Sequence, residues 1–336
     1  PADEKVEELL RARNLLHLCA GRRADRLTRS RQSEIALLLG CDPTELMRRV
    51  GSAMVALDLG YQRAIGSIQR AVFRLSPGAL AVAGEASPEP GADSSAAAVG
   101  LAMAGPLLLR TIDRPGSFRP PSSGAAVLNA LAWGERALRD FDRCGLLAYF
   151  LPELDAVRFL VPGDPTHEFT VFEHTLRLVS LLDSLEDPLL ADLQRSLSDR
   201  GVLILAALLH DVGKGEVPSG HAERGAVLAK GACERLKISP EATQDIVWLV
   251  REHLTMVRFL RLRDVSDPAT VAEFATIVGT PERLSLLTLI SYADVAAVGE
   301  GTWTPAQDAF LHELYRRTVG ALGGGEAAPE PTFLRH

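Results

Sequence analysis

The sequence predicts an all-α protein. Ala and Leu dominate a chain in which 47% of the residues are apolar and only 5% aromatic, a composition that favours helices over a β-sandwich. No segment sustains the period-2 alternation of a half-buried strand. A capping residue followed by proline recurs at Ser239-Pro240, Asp267-Pro268, Thr280-Pro281 and Thr304-Pro305, and that pairing starts helices.

At 336 residues the chain is long enough for two units. Residues 1–75 read as a helical region. Glu4–Cys19 carries Val6, Leu9, Leu10, Leu15, Leu16 and Leu18 in roughly a helical stripe. A second helix starts at Asp42-Pro43-Thr44-Glu45, with an N-cap aspartate, proline at the first position and a glutamate three residues after the cap. Between them, Arg22 to Arg31 holds five arginines against one acid. This is either a solvated face paired with neighbouring acids or a phosphate- or partner-binding surface.

Residues 76–124 turn to Gly, Pro, Ser and Ala and read as a linker-like segment holding the domain boundary, with one apolar piece at Val99–Ile112. A helix is expected over Ser122–Cys144, then a packed turn at Gly145–Pro152. Residues 125–322 make the second domain, a series of helices, and 323–336 a flexible tail.

The formal charge of −7 argues against nucleic-acid binding, which shows as a basic stripe or domain. Cys19, Cys41, Cys144 and Cys233 have no metal- or redox-type spacing, so free thiols in a cytoplasmic setting are expected. No apolar run reaches the ~20 residues of a membrane helix. The first residue is Pro1 rather than Met, which suggests a piece of a longer chain.

The chemistry concentrates at Leu203-Ile-Leu-Ala-Ala-Leu-Leu-His210-Asp211-Val-Gly-Lys214-Gly, an oily helix ending on a histidine and an aspartate. Both side chains would lose water there, and a divalent cation is a partner that compensates both. His174 upstream and His221, His253 and Asp294 downstream supply further ligand types on separate helices, as in the di-metal centres of helix bundles.

Imidazoles and carboxylates without sulfur suit Mn, Mg, Fe or Zn in a reactive site rather than structural zinc. Asp211 is the natural bridge between two ions that together activate water and hold a phosphoryl oxygen. Lys214 reads as a catalytic point charge for a phosphate or as a solvent-facing lysine at a helix end. His221 and His253 each have a bland alternative at a helix terminus, whereas Asp294 is an acid inside an apolar helix. His167 reads as a cap that could orient a ligand, and His17 and His312 as structural.

His174, His210-Asp211 and Asp294 together resemble the H…HD…D motif of the HD superfamily of metal-dependent phosphohydrolases, all-helical enzymes that cleave phosphate esters. More narrowly, Leu15–Leu27, Leu151-Pro-Glu-Leu154, His167–Leu176, Ala206–Gly215 and Ala293-Asp294 followed by Trp303 resemble the bacterial bifunctional PII uridylyltransferase/uridylyl-removing enzymes. The likeness covers most of the chain. The Gly-Ser loop and paired aspartates of that family's nucleotidyltransferase domain are not found, and its ACT domains would begin about where the chain stops.

The resemblance implies a fragment that removes UMP from a uridylylated PII protein with Mn or Mg. His174, His210, Asp211 and Asp294 would hold the first ion, and His221 and His253 a second. The alternatives are an HD hydrolase of free nucleotides or cyclic dinucleotides, the latter weakened by the lack of a Gly-Tyr-Pro motif, and a helical regulatory module without activity.

Overall fold

The computed structural model describes residues 2–24, 27–75, 124–143, 145–161, 169–215, 220–299 and 301–323. The chain is all-α, with no strand among the described residues. It divides into two compact units. One takes the described residues of 1–122, 139–163 and 170–172; the other takes those of 123–138, 164–169 and 173–336. The segment 139–163, grouped with the second domain in the sequence reading, thus belongs to the first unit. The expected linker segment, its apolar piece, His167, Cys144 and the tail from residue 324 lie outside the described residues.

The first unit is built on α1 (Ala2–Ala20), α2 (Arg29–Leu39) and α3 (Pro43–Leu75). Leu16, Ile35, Ala36 and Leu46 form its core, with Leu15, Cys19, Leu39 and Val50 packed around them. Only part of the expected α1 stripe is used, since Val6, Leu10 and Leu18 are exposed. α3 starts as its sequence predicts, the Glu45 N–H donating to Asp42 Oδ1 at 2.9 Å. Arg22 and Arg23 are exposed, while Asp25 and Arg26 are outside the described residues.

The helix expected over Ser122–Cys144 is two helices, α4 (Gly124–Leu131) and α5 (Glu135–Arg143). The break falls at Gly134, whose φ of 93° disfavours any side chain. Asp183 Oδ2 accepts the freed Glu135 N–H at 2.7 Å. The packed turn expected at Gly145–Pro152 is a short helix, α6 (Leu146–Phe150), followed by a 3₁₀ turn at Pro152–Ala156. Leu146, Leu147, Leu151 and Leu154 are all buried there.

The second unit continues through α7 (Val171–Asp183, its first two residues belonging to the first unit), α8 (Pro188–Ser196), α9 (Arg200–Leu209), α10 (His221–Arg235) and α11 (Pro240–Glu252). It ends with α12 (Thr255–Leu262), α13 (Pro268–Val278), α14 (Pro281–Ala297) and α15 (Pro305–Leu322). Each of the four expected cap-proline pairs is realised, with the cap side chain accepting a first-turn N–H and proline in the first turn. Asp187-Pro188 begins α8 in the same way.

The core lies along α9, where every residue from Gly201 to Leu209 is buried. A helix apolar on all faces must be wrapped by others, and α4, α10, α11 and α14 do this. No described helix is long and apolar enough to cross a membrane.

Candidate metal centre

Because α9 is oily to its last residue, its C-terminus is buried, and the carbonyls that a helix end leaves without partners have no water to turn to. His210, the C-cap of α9, meets this need by placing Nδ1 2.7 Å from the Ala207 carbonyl oxygen. His253, the C-cap of α11, does the same with the Val250 carbonyl at 2.7 Å. A carbonyl only accepts, so Nδ1 carries the proton in both rings. The Nε2 atom is thereby turned inward and left for another partner.

The other candidates arrive from separate elements. His174 stands in the second turn of α7, 2% exposed, with Val171 and Leu178 buried around it. Asp294 projects from α14 between the buried Ala293 and Val295. Asp211 follows His210 directly, and a 3₁₀ turn at Val212–Gly215 carries Lys214. His221 opens α10 behind Gly220, whose φ of 67° is left-handed.

All seven converge, six of them in two triads. His174, His210 and Asp294 each offer a ligand atom within 4.8 Å of one another, and so do Asp211, His221 and His253. In the first triad, His174 Nε2 is 2.8 Å and His210 Nε2 3.5 Å from Asp294 Oδ1. In the second, Asp211 Oδ1 lies 3.4 Å from His221 Nε2 and 3.9 Å from His253 Nε2. The other Asp211 oxygen, Oδ2, faces His210 Nε2 at 3.3 Å and Lys214 Nζ at 2.6 Å. One carboxylate therefore spans both triads. Lys214 is ion-paired to Asp211 within the centre, with 23% of its side chain exposed.

The electrostatics show what the pocket lacks. Burial pushes both carboxyl groups toward the neutral form. At Asp211 the charges of His210 and then Lys214 overcome it, and at Asp294 the hydrogen bond from His174 and then the nearby His210 imidazole do so, leaving both well below the usual carboxylate range. Burial would also discharge His210, but Asp211 and then Asp294 outweigh it and raise this imidazole to about 10. His253 goes the other way, lowered to about 4 by burial and by the neighbouring His210 charge.

The buried Asp211 carboxylate and the half-buried Asp294 carboxylate thus draw a proton onto His210 as their counter-charge. A divalent cation supplies the same charge and more. Nε2 of His210, Nε2 of His253 and Oδ1 of Asp211 are buried with no hydrogen bond among the described residues, as a ligand shell requires. The donor set of imidazoles and carboxylates suits a first-row or alkaline-earth divalent ion.

The turn between the triads is held tightly. A Cβ on Gly213 would overlap the His221 carbonyl oxygen and come within 2.7 Å of Gly225 N, so only glycine lets the turn lie against α10. Arg224 donates to the Gly213 carbonyl through Nε at 3.3 Å and a terminal nitrogen at 3.0 Å. Its position, three residues after His221, was the one sequence signal for this support. A third set, Asp187, Asp308 and His312, also converges, although the sequence marks His312 only as structural.

The comparisons with known proteins agree with this architecture. Residues 171–277 match the HD domain family and residues 2–70 match GlnD PII-uridylyltransferase. The HD match holds all the centre residues except Asp294. A bifunctional uridylyltransferase/uridylyl-removing enzyme of Caulobacter vibrioides is 40% identical over 220 residues, which are 62% of this chain and 23% of that protein.

Enzymes of the same name from Phenylobacterium zucineum and Cereibacter sphaeroides are 37% and 39% identical, over 65% and 57% of this chain and 24% and 21% of theirs. The chain spans under a quarter of the length of these relatives. Residues 171–277 are thus similar to the HD domain, and residues 2–70 to GlnD PII-uridylyltransferase.

Proposed function

We propose that this chain is a metal-dependent phosphodiesterase that removes UMP from a uridylylated PII protein. The supporting observation is the pair of triads sharing Asp211, three helix-borne imidazoles and an acid brought against the His-Asp pair at the end of a buried helix. The names of the relatives, which include uridylyl removal, and the match of residues 2–70 to GlnD PII-uridylyltransferase support the substrate.

In this reading His174, His210, Asp211 and Asp294 hold one divalent ion, Mn or Mg, and Asp211, His221 and His253 a second. Bound ions of this kind supply Lewis-acid polarisation of a phosphoryl oxygen and acidify water toward neutral pH. The protein residues do the rest. The Ala207 and Val250 carbonyls fix the tautomers of His210 and His253, so the ligand atoms stay aimed without reorganisation. Lys214, 23% exposed and anchored on Asp211, puts a positive charge at the accessible edge, where the phosphate oxygens gather charge during attack. In this reading the hydrolase occupies the second unit, and its setting is the cytoplasm.

Incubating the purified chain with uridylylated PII and Mn tests the reading. The expected result is stoichiometric UMP release that stops on chelation. Metal-loaded protein that releases no UMP but hydrolyses free nucleotides would replace this substrate with the nucleotide alternative. Loaded protein inactive on both would favour the regulatory module.

A further inference from the structure

Away from the centre, Asp187 at the N-cap of α8 meets Asp308 and His312 of α15, one ligand atom from each lying within 4.8 Å of the others. We propose that these three side chains form a separate divalent-cation site, for zinc or manganese, that braces the helices around the hydrolytic centre.

The spacing is that of a ligand shell. His312 Nε2 is 3.2 Å from Asp187 Oδ2 and 4.0 Å from Asp308 Oδ2. Ligand atoms held about 2.0–2.2 Å from one ion sit about 3–3.5 Å apart. The His312–Asp187 pair lies in this interval and the His312–Asp308 pair just beyond it, as do the 3.3 Å of His210–Asp211 and the 3.9 Å of His253–Asp211 in the hydrolytic centre.

Each carboxylate is also oriented through its other oxygen. Asp187 Oδ1 accepts the Leu190 N–H at 2.9 Å, and Asp308 Oδ1 accepts the Trp303 indole N–H at 3.0 Å. That leaves both Oδ2 atoms facing His312, the arrangement in which outer hydrogen bonds aim metal ligands. His312 Nε2 is itself buried with no hydrogen bond among the described residues, although its side chain is 28% exposed.

The charge balance points the same way. No lysine or arginine among the described residues pairs with Asp187 or Asp308, so two carboxylates share one imidazole. Asp308 and His312 are four residues apart on one face of α15. One imidazole with two carboxylates suits zinc or manganese and leaves room for water. An ion here would tie the turn after α7, which carries His174, to α15. Through Trp303, packed edge-on against Tyr292 at 5.3 Å, it would also steady the stretch of α14 that carries Asp294.

The test counts zinc per chain by mass spectrometry after loading and desalting, in the unmodified protein and in H312Q, D308N and D211N. The expected result is one ion fewer in H312Q and D308N than in the unmodified chain, with the ions of the hydrolytic centre retained. D211N should keep the third ion while losing zinc from the centre. Circular dichroism checks folding. D308N keeps an acceptor for Trp303 and decides the matter if H312Q does not fold. Equal zinc content in the unmodified chain and in folded D308N overturns the proposal, whatever the substrate of the hydrolytic centre proves to be.

Discussion

His210 and Asp211, adjacent at the end of a fully buried helix, turn toward each other, with Nε2 of the first 3.3 Å from Oδ2 of the second. The pair is held by its surroundings, since His210 Nδ1 is committed to the Ala207 carbonyl. What faces the pocket is one ring nitrogen and one carboxylate, and both need a cation.

This fixes the sign of the pH dependence. Without metal, His210 holds its proton up to about 10, so an ion must displace that proton to reach Nε2. Metal affinity should rise with pH from 6.5 toward 10, by roughly tenfold per unit for one proton released. Calorimetry in buffers of different ionisation enthalpy reads the proton count, and pH-independent affinity would contradict it. The metal-free fold behaves oppositely. A raised imidazole pKa stabilises fully below the unfolded value near 6.5, and the contribution is lost as pH climbs through about 10. The lowered Asp211 and Asp294 contribute above about 4 and lose their effect on acidification. Chelated protein should therefore melt at lower temperature at pH 9.5 than at pH 6.5.

Asp211→Asn removes the one carboxylate among the described residues that reaches both triads. Metal affinity should fall by more than the about 10- to 100-fold that loss of an outer-sphere partner costs, with hydrolysis lost and the helical circular dichroism spectrum kept. Normal affinity in this variant would mean that Asp211 binds no ion.

Lys214→Gln keeps the length of the stem but removes the charge 2.6 Å from Asp211. If Lys214 acts on the phosphate as charge develops, kcat should drop by about 10²-fold with KM nearly unchanged and metal content preserved. A lysine that only balances Asp211 would show the reverse, with altered metal affinity and intact kcat at saturating metal.

Gly213→Ala tests the packing behind the centre. Its methyl group would overlap the His221 carbonyl, so the turn must move off α10 at a cost of about 1–3 kcal/mol. Denaturant unfolding measures the loss, and the ion held by His221 should weaken more than the one held by His174. Unchanged stability and affinity would show that the turn has room the packing denies.

Much of this was legible because the signals are local. A cap residue before proline satisfies a helix start wherever it sits, and Ser239, Asp267, Thr280 and Thr304 all behave as their sequences predict. Asp294 stood out because an acid inside an apolar helix has no other account. The misses are long-range. The break at Gly134 depends on a carboxylate 48–49 residues away at Asp183, and nothing near Gly134 announces it. The leucine-rich Gly145–Pro152 reads as a turn by its ends, yet its helix is set by burial of Leu147 and Leu151. His312 looked structural because its partner Asp187 lies far upstream and doubles as a helix cap. Arg224 carries only its spacing from His221 as a local signal, because the Gly213 carbonyl it holds lies 11 residues upstream.

The most direct measurement is anomalous diffraction at the manganese edge from crystals of the Mn-loaded chain. The account predicts a peak among His174, His210, Asp211 and Asp294 and a second beside His221 and His253, with Asp211 touching both. Density with those imidazoles bonded to one another and no peak between them would contradict it.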